Sequence, residues 1–133
     1  MSAGSVLQAA VAAALKGMDP LAVFDAPPVR AALPYAVVDE PVLASREVWG
    51  WEGRDGRVLV TLHDSGERPV RLRAMLGEVE ARVRGLAPDG APGPGEGWRL
   101  MWLKLRRSRI VAGKDGRWRG EAEFSARMWR QDS

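Results

Sequence analysis

Apolar and polar positions alternate along this chain in two different rhythms. Between Ser5 and Gly17, Leu7, Val11, Ala14, Leu15 and Met18 recur at helical spacing. Ser2 or Ser5 can cap the start and Gly17 suits the end, so the spacing predicts a first helix there. From Leu72 onward, Met75, Leu76, Val79, Val83 and Leu86 form a broad apolar face after Pro69, which predicts a second helix. Glu78 with Arg82 and Glu80 with Arg84 are placed to pair four residues apart on that helix. The rhythm of two appears elsewhere. Trp118, Gly120, Ala122, Phe124, Ala126 and Met128 alternate with Arg117, Arg119, Glu121, Glu123, Ser125 and Arg127, the pattern of a strand with one core face and one wet face.

Shorter runs complete the outline. Leu21 to Phe24 is an apolar burst before the Pro27, Pro28 pair and predicts an edge strand followed by a loop. Tyr35 to Asp39 reads as a strand. Arg46 to Glu52 and Arg57 to Leu62 flank Gly53, Arg54, Asp55 and Gly56, and Asp followed by Gly predicts a hairpin turn between two strands. Asp64 to Gly66 is expected to be a loop. Residues 98–108 and 117–129 are two long strands joined around Gly113 to Gly116, and the Pro/Gly segment 87–97 is expected to be a flexible loop. Together these predict an α+β fold, a mainly antiparallel β-sheet with two helices packed on one face, in a single domain over residues 1–133.

The length of 133 residues fits one core. With 46% hydrophobic and 28% charged residues, the composition is that of a globular domain. Cysteine is absent, which removes disulfides, thiol nucleophiles and cysteine-bound zinc. There is no apolar run of 18 residues, so no membrane-spanning helix is expected. The Ala-rich start lacks a positive segment before its apolar run and is expected to be a helix of the mature protein. A net charge of +3 hides a division: residues 1–97 hold 10 basic and 13 acidic side chains, and residues 98–133 hold 10 basic and 4 acidic. Seventeen of the 20 basic residues are Arg, a bias that fits a GC-rich coding sequence as well as guanidinium chemistry.

Candidate chemistry is sparse. His63 is the single histidine, beside Asp64, and with no second His and no Cys it is expected to be an ordinary loop residue rather than a metal ligand or catalytic base. The Gly-rich stretch has no Lys with Ser or Thr after it and precedes a strand, so it is not a phosphate loop. Glu121 and Glu123 are expected to join cross-strand ion pairs. No catalytic, metal-binding or cofactor-binding residue is predicted, and the protein is not expected to be an enzyme. The most suggestive cluster is Lys104, Arg106, Arg107 and Arg109 near Trp98 and Trp102. It has three readings: a stacking platform for single-stranded nucleic acid, a solvated sheet face, or a protein interface. Trp49 and Trp51 are expected on one face of the hairpin arm, available to a neighbour.

The segments VFDAPPVRAALPYAVVD, RPVRLRAMLGEVEARVRGL and GWRLMWLKLRRSRIVAGKDGRWRGEAEFSARM, following the Ala-rich helix, resemble the tail terminator proteins of long-tailed phages, and above all the version found in gene transfer agents. APPVRAALPY and the final strand pair are the most specific parts. The resemblance implies a subunit of a homo-oligomeric ring, typically hexameric, at the head-proximal end of the tail tube of a virion or gene transfer agent particle. Such a ring is assembled in the bacterial cytoplasm. Its partners would be the tail tube protein and the head-completion (stopper) protein of the connector, with DNA passing through the lumen non-specifically and no membrane contact. On that reading Trp49, Trp51, Arg54, Arg106, Arg107 and Arg109 are the expected interface residues. A nucleic-acid-binding module built on the basic C-terminal hairpin is the alternative.

Overall fold

The computed structural model describes residues 2–86 and 97–131. The expected flexible segment, apart from Gly97, lies outside the described residues. The elements run α1 (Ala3–Ala14), β1 (Ala22–Phe24), β2 (Tyr35–Val38), β3 (Val42–Ser45), β4 (Trp51–Ser65), α2 (Val70–Arg84), β5 (Arg99–Ala112) and β6 (Arg117–Gln131). The strands form one sheet in the order β1-β2-β4-β6-β5, with β3 following β2 along the same edge of β4. Among the described residues only the β1–β2 pair is parallel. The fold is α+β.

Both helices cover one face of the sheet, and the core lies between them and alternate strand residues. Val58, Val60 and Leu62 of β4 and Ala122, Phe124, Ala126 and Met128 of β6 point into it, meeting Leu7, Val11 and Leu15 from the α1 side and Leu72, Leu76, Val79 and Val83 from α2. The alternation read from β6 is therefore realised. Gly120 leaves room for the Leu72 side chain, which would lie 3.3 Å from an added Cβ.

Helix α1 begins earlier than its apolar spacing predicts because Ser2 Oγ accepts from the Ser5 N–H at 3.1 Å, making Ser2 the cap. Gln8 interrupts the apolar face and is itself buried. Its Nε2 donates to the carbonyls of Val38 at 2.9 Å and Asp25 at 3.0 Å, pinning the helix to the ends of β2 and β1. In α2 the Glu78–Arg82 pair forms at 3.1 Å, whereas Glu80 and Arg84 make no ion pair among the described residues.

The hairpin expected at Gly53 to Gly56 does not exist. Strand β4 runs straight through those residues, and all fifteen of its positions pair with β6. The reversal lies earlier, where Val48 and Trp51 exchange N–H···O bonds of 3.2 and 2.8 Å around Trp49 and Gly50, with Gly50 at φ +77°. The glycines serve a different purpose. A Cβ on Gly56 would overlap the Val42 carbonyl oxygen, and one on Gly53 would overlap that of Arg46. They let β3 and the following segment lie against β4, which is the second meaning of glycine inside a strand. His63 and Asp64, expected in a loop, are likewise strand residues of β4.

Strand β5 forms the outer edge. Its register against β6 shifts between Leu100 and Trp102 and between Leu105 and Arg107, so Met101 and Arg106 are bulge residues. At the far end Gly113 to Gly116 turn the chain, with Asp115 at φ 56° and Gly116 at φ 71°.

Gly56→Ala is expected to destabilise the protein by about 1–3 kcal/mol, the range for overpacking. Gly77→Ala, on α2 with nothing within 4 Å of its Cβ, should stabilise by about 1 kcal/mol. Urea midpoints with an unchanged m-value check both, and equal effects at the two sites would contradict the close-approach account.

Candidate protein interface

The six residues expected at an interface fall into two separate patches. Trp49, Trp51 and Arg54 lie at the tip of the β4–β6 ribbon. Arg107 and Arg109 lie opposite Glu123 and Glu121, about six residue rows or roughly 20 Å further along the strands. The structure does not bring the two groups together.

At the tip, Trp49 is 96% exposed on its two-residue turn. Trp51 differs from the expectation that both rings stand free. It packs edge-on against Trp129, with ring centres 4.4 Å apart at 83°. The two rings, Val48, Met101 and the stems of Arg46 and Arg127 line an apolar notch of about 340 Å³ on the helix-free face. On the opposite side of the ribbon Trp98 is only 2% exposed, beneath Arg130 at 4.5 Å and Arg54 at 5.5 Å. Glu52 holds both cations, Arg130 at 2.9 Å and Arg54 at 3.3 Å. Arg54 also donates to the Gly53 carbonyl at 2.7 Å. These contacts hold its guanidinium against the tip, with the side chain 29% exposed.

The basic segment of β5 is partly neutralised by its own sheet. Arg109 donates to Glu121, Arg107 lies 3.8 Å from Glu123, and Arg119 and Arg57 add contacts of 3.5 and 3.9 Å to the same carboxylates. The cross-strand ion pairs expected for Glu121 and Glu123 are therefore present. Arg109 holds the Glu121 carboxyl below its ordinary range. Arg106, on its bulge, and Lys104 join no ion pair among the described residues. Trp102 lies under Lys104 at 5.2 Å and Arg127 at 5.7 Å, so its face is already occupied by the protein's own cations. A nucleobase would have to displace them to stack there.

Titratable groups elsewhere are shifted by burial and by their neighbours. Burial, with Arg119 and Arg117 nearby, pushes the His63 imidazole below its ordinary value, and the ring stacks on Tyr35 at 4.7 Å. Asp39 is pushed up by burial and by Glu121. Among the described residues no group of three His, Cys, Asp or Glu side chains is placed to hold a metal ion. Among the described residues no helix is long and apolar enough to cross a membrane. Asp64, 3% exposed, accepts from Arg71 Nη2 at 2.6 Å and Nε at 3.0 Å, a bidentate clasp between the end of β4 and the start of α2.

One feature had no signal in the periodicity. Pro28, Val29, Arg30, Ala31, Ala32, Tyr35 and Arg117 enclose an open cleft of about 510 Å³ at the end of the ribbon away from the tip. Its position depends on β2 meeting His63 of β4 while Arg117 of β6 meets Ser65, contacts distant in sequence.

This arrangement has a counterpart among solved structures. A chain of a structure described as "Virion of native gene transfer agent (GTA) particle" matches with a TM-score of 0.76 and 23% identity, over 97% of this chain and 99% of that one. The two share a fold. Coverage in both directions means that the likeness embraces the entire architecture instead of one hairpin or one helix pair. No family model and no curated protein matches the chain.

The Arg71 hydrogen bonds hold the Asp64 carboxyl below its ordinary value. Its contribution to stability is therefore complete above the unfolded value of about 4 and is lost as pH falls through the lower folded value. Urea midpoints measured from about pH 5 downward should fall more steeply for the wild type than for Asp64→Asn; parallel curves would contradict the linkage.

Proposed function

We propose that this protein is a structural component of a gene transfer agent or phage-like particle, acting as its tail terminator. Six copies form a ring on the head-proximal end of the tail tube, stop its growth and offer a surface to the head-completion protein. DNA passes through the lumen without sequence readout. The observation that carries this reading is the end-to-end likeness to a chain of a gene transfer agent virion. The assignment to the terminator position rests on the sequence resemblance in APPVRAALPY and the final strand pair.

The surface supports an assembly role. A ring subunit makes heterologous contacts, with one patch meeting a different patch on its neighbour. Trp49 is an exposed aromatic at a defined turn, the kind of residue that anchors interfaces. Arg106 and Arg107 present charge at the bulged edge, where electrostatics sets partner choice and register more than affinity. Against the nucleic-acid alternative stand the covered face of Trp102 and the carboxylates beside Arg107 and Arg109. That alternative requires binding to DNA that falls steeply with salt.

Electron microscopy of the purified protein mixed with tail tubes should show a ring on one end and tubes of arrested length. Bare ends and continued growth would overturn the reading. The variant Arg106→Glu with Arg107→Glu should fold with a melting temperature within a few degrees of wild type, since both side chains are exposed. It should fail to join tubes or close rings, and unchanged assembly by the folded variant would remove these two residues from the contact.

A further inference from the structure

The tip and the cleft occupy opposite ends of one ribbon. Trp51 pairs with Gln131 at one end and Ser65 with Arg117 at the other, fourteen residue steps apart, or roughly 45 Å. No chain can place its own Trp49 in its own cleft. Each copy therefore carries an exposed indole at one end and an open cleft at the other.

The two ends suit one another chemically. The cleft has a proline wall at Pro28 and two guanidiniums, Arg30 and Arg117, neither of which joins an ion pair among the described residues. Proline edges and guanidinium planes are surfaces on which an indole packs well. Two residues before Trp49, Glu47 has a side chain 58% exposed. Its Oε1 accepts from the Ser45 hydroxyl at 3.1 Å and from Arg54 at 3.5 Å, while Oε2 takes no hydrogen bond among the described residues. Those contacts hold the carboxylate beside the turn and leave one oxygen for an outside cation. The tip thus offers an aromatic ring and one carboxylate oxygen of Glu47 beyond its Arg54 contact, and the cleft, whose lining is mainly polar, offers the Pro28 edge and two positive charges.

We infer that the Trp49 turn of one copy seats in the Pro28–Arg117 cleft of the next copy, with Glu47 meeting Arg30 and Arg117. This rests on the reading of the protein as a ring subunit and names the contact that would build the ring. The contact is heterologous, so its repetition closes a ring when the rotation between neighbours is a whole fraction of a turn. It also accounts for an aromatic left in water on an otherwise well-packed ribbon.

The absence of cysteine makes the contact directly addressable. Val48→Cys and Ala32→Cys place thiols beside the turn and in the cleft while keeping Trp49, Glu47, Arg30 and Arg117. Mixed and treated with a short bismaleimide, in concentrated solution and on tube ends, the two single variants should give a heterodimer well above either homodimer. The double variant should give a ladder that ends at the ring number. A cross-link absent in both settings, or a Val48→Cys homodimer as the main product, would overturn the inference. Trp49→Ala should cut the cross-linking yield about ten-fold or more, as loss of an interface anchor does. Glu47→Arg and Arg117→Glu should each lower it, and their combination should restore it; no change in any of these would also overturn it. Rings that still form on tubes with Trp49→Ala would reject this contact and leave the terminator reading intact. Bare wild-type tubes alongside a strong heterodimer would do the reverse.

Discussion

The pairing of β4 with β6 over fifteen consecutive positions is the constraint on which the rest of the structure depends. Its central rows supply the core residues that both helices cover, and its ends extend far enough to carry a tip and a cleft. The opposite edge of β4 accepts two short strands in succession, β2 and β3. At Gly53 and Gly56, backbone from the β3 side comes closer than any side chain allows. Two missing Cβ atoms thus let the β3 side of the sheet close against the long strand.

Electrostatics within the ribbon changes the meaning of the uneven charge along the chain. The acidic first part and the basic last part meet inside one subunit: Arg127 lies 3.1 Å from Asp55 and Arg130 2.9 Å from Glu52. Arg107 and Arg109 face Glu123 and Glu121, which belong to the same basic hairpin. Folding thus pairs part of the basic segment with acidic side chains, while Lys104 and Arg106 on the edge and Arg30 and Arg117 at the cleft are among the cations that join no ion pair among the described residues. Exposed pairs of this type add little stability each, so their value lies in fixing the rotamers around the Trp rings.

How far the chain could be read in advance depended on whether the signal was local. Helix α2 and strand β6 were legible because burial on one side imposes a period on every residue, and Leu72 to Val83 and Trp118 to Met128 obey it. The Asp55–Gly56 pair misled because a turn glycine and a close-approach glycine are the same letter; only the position of β3 separates them. His63 and Asp64 looked like loop residues because polarity marks both loops and the ends of strands. Of the expected interface residues, Trp49 was legible as an exposed aromatic, while Trp51 and Arg54 were drawn inward by Trp129, Trp98 and Glu52, partners whose proximity is set by tertiary pairing. The cleft at Pro28 and Arg117 was invisible for the same reason.

The bulges at Met101 and Arg106 bear on what the outer edge of the sheet can recruit. An outer strand of fourteen residues with an unbroken ladder would recruit other strands wherever protein accumulates, and growth would then follow concentration. Interrupting the register twice removes that template without shortening the strand. The edge keeps its full length while offering no continuous row of backbone groups for another strand to join.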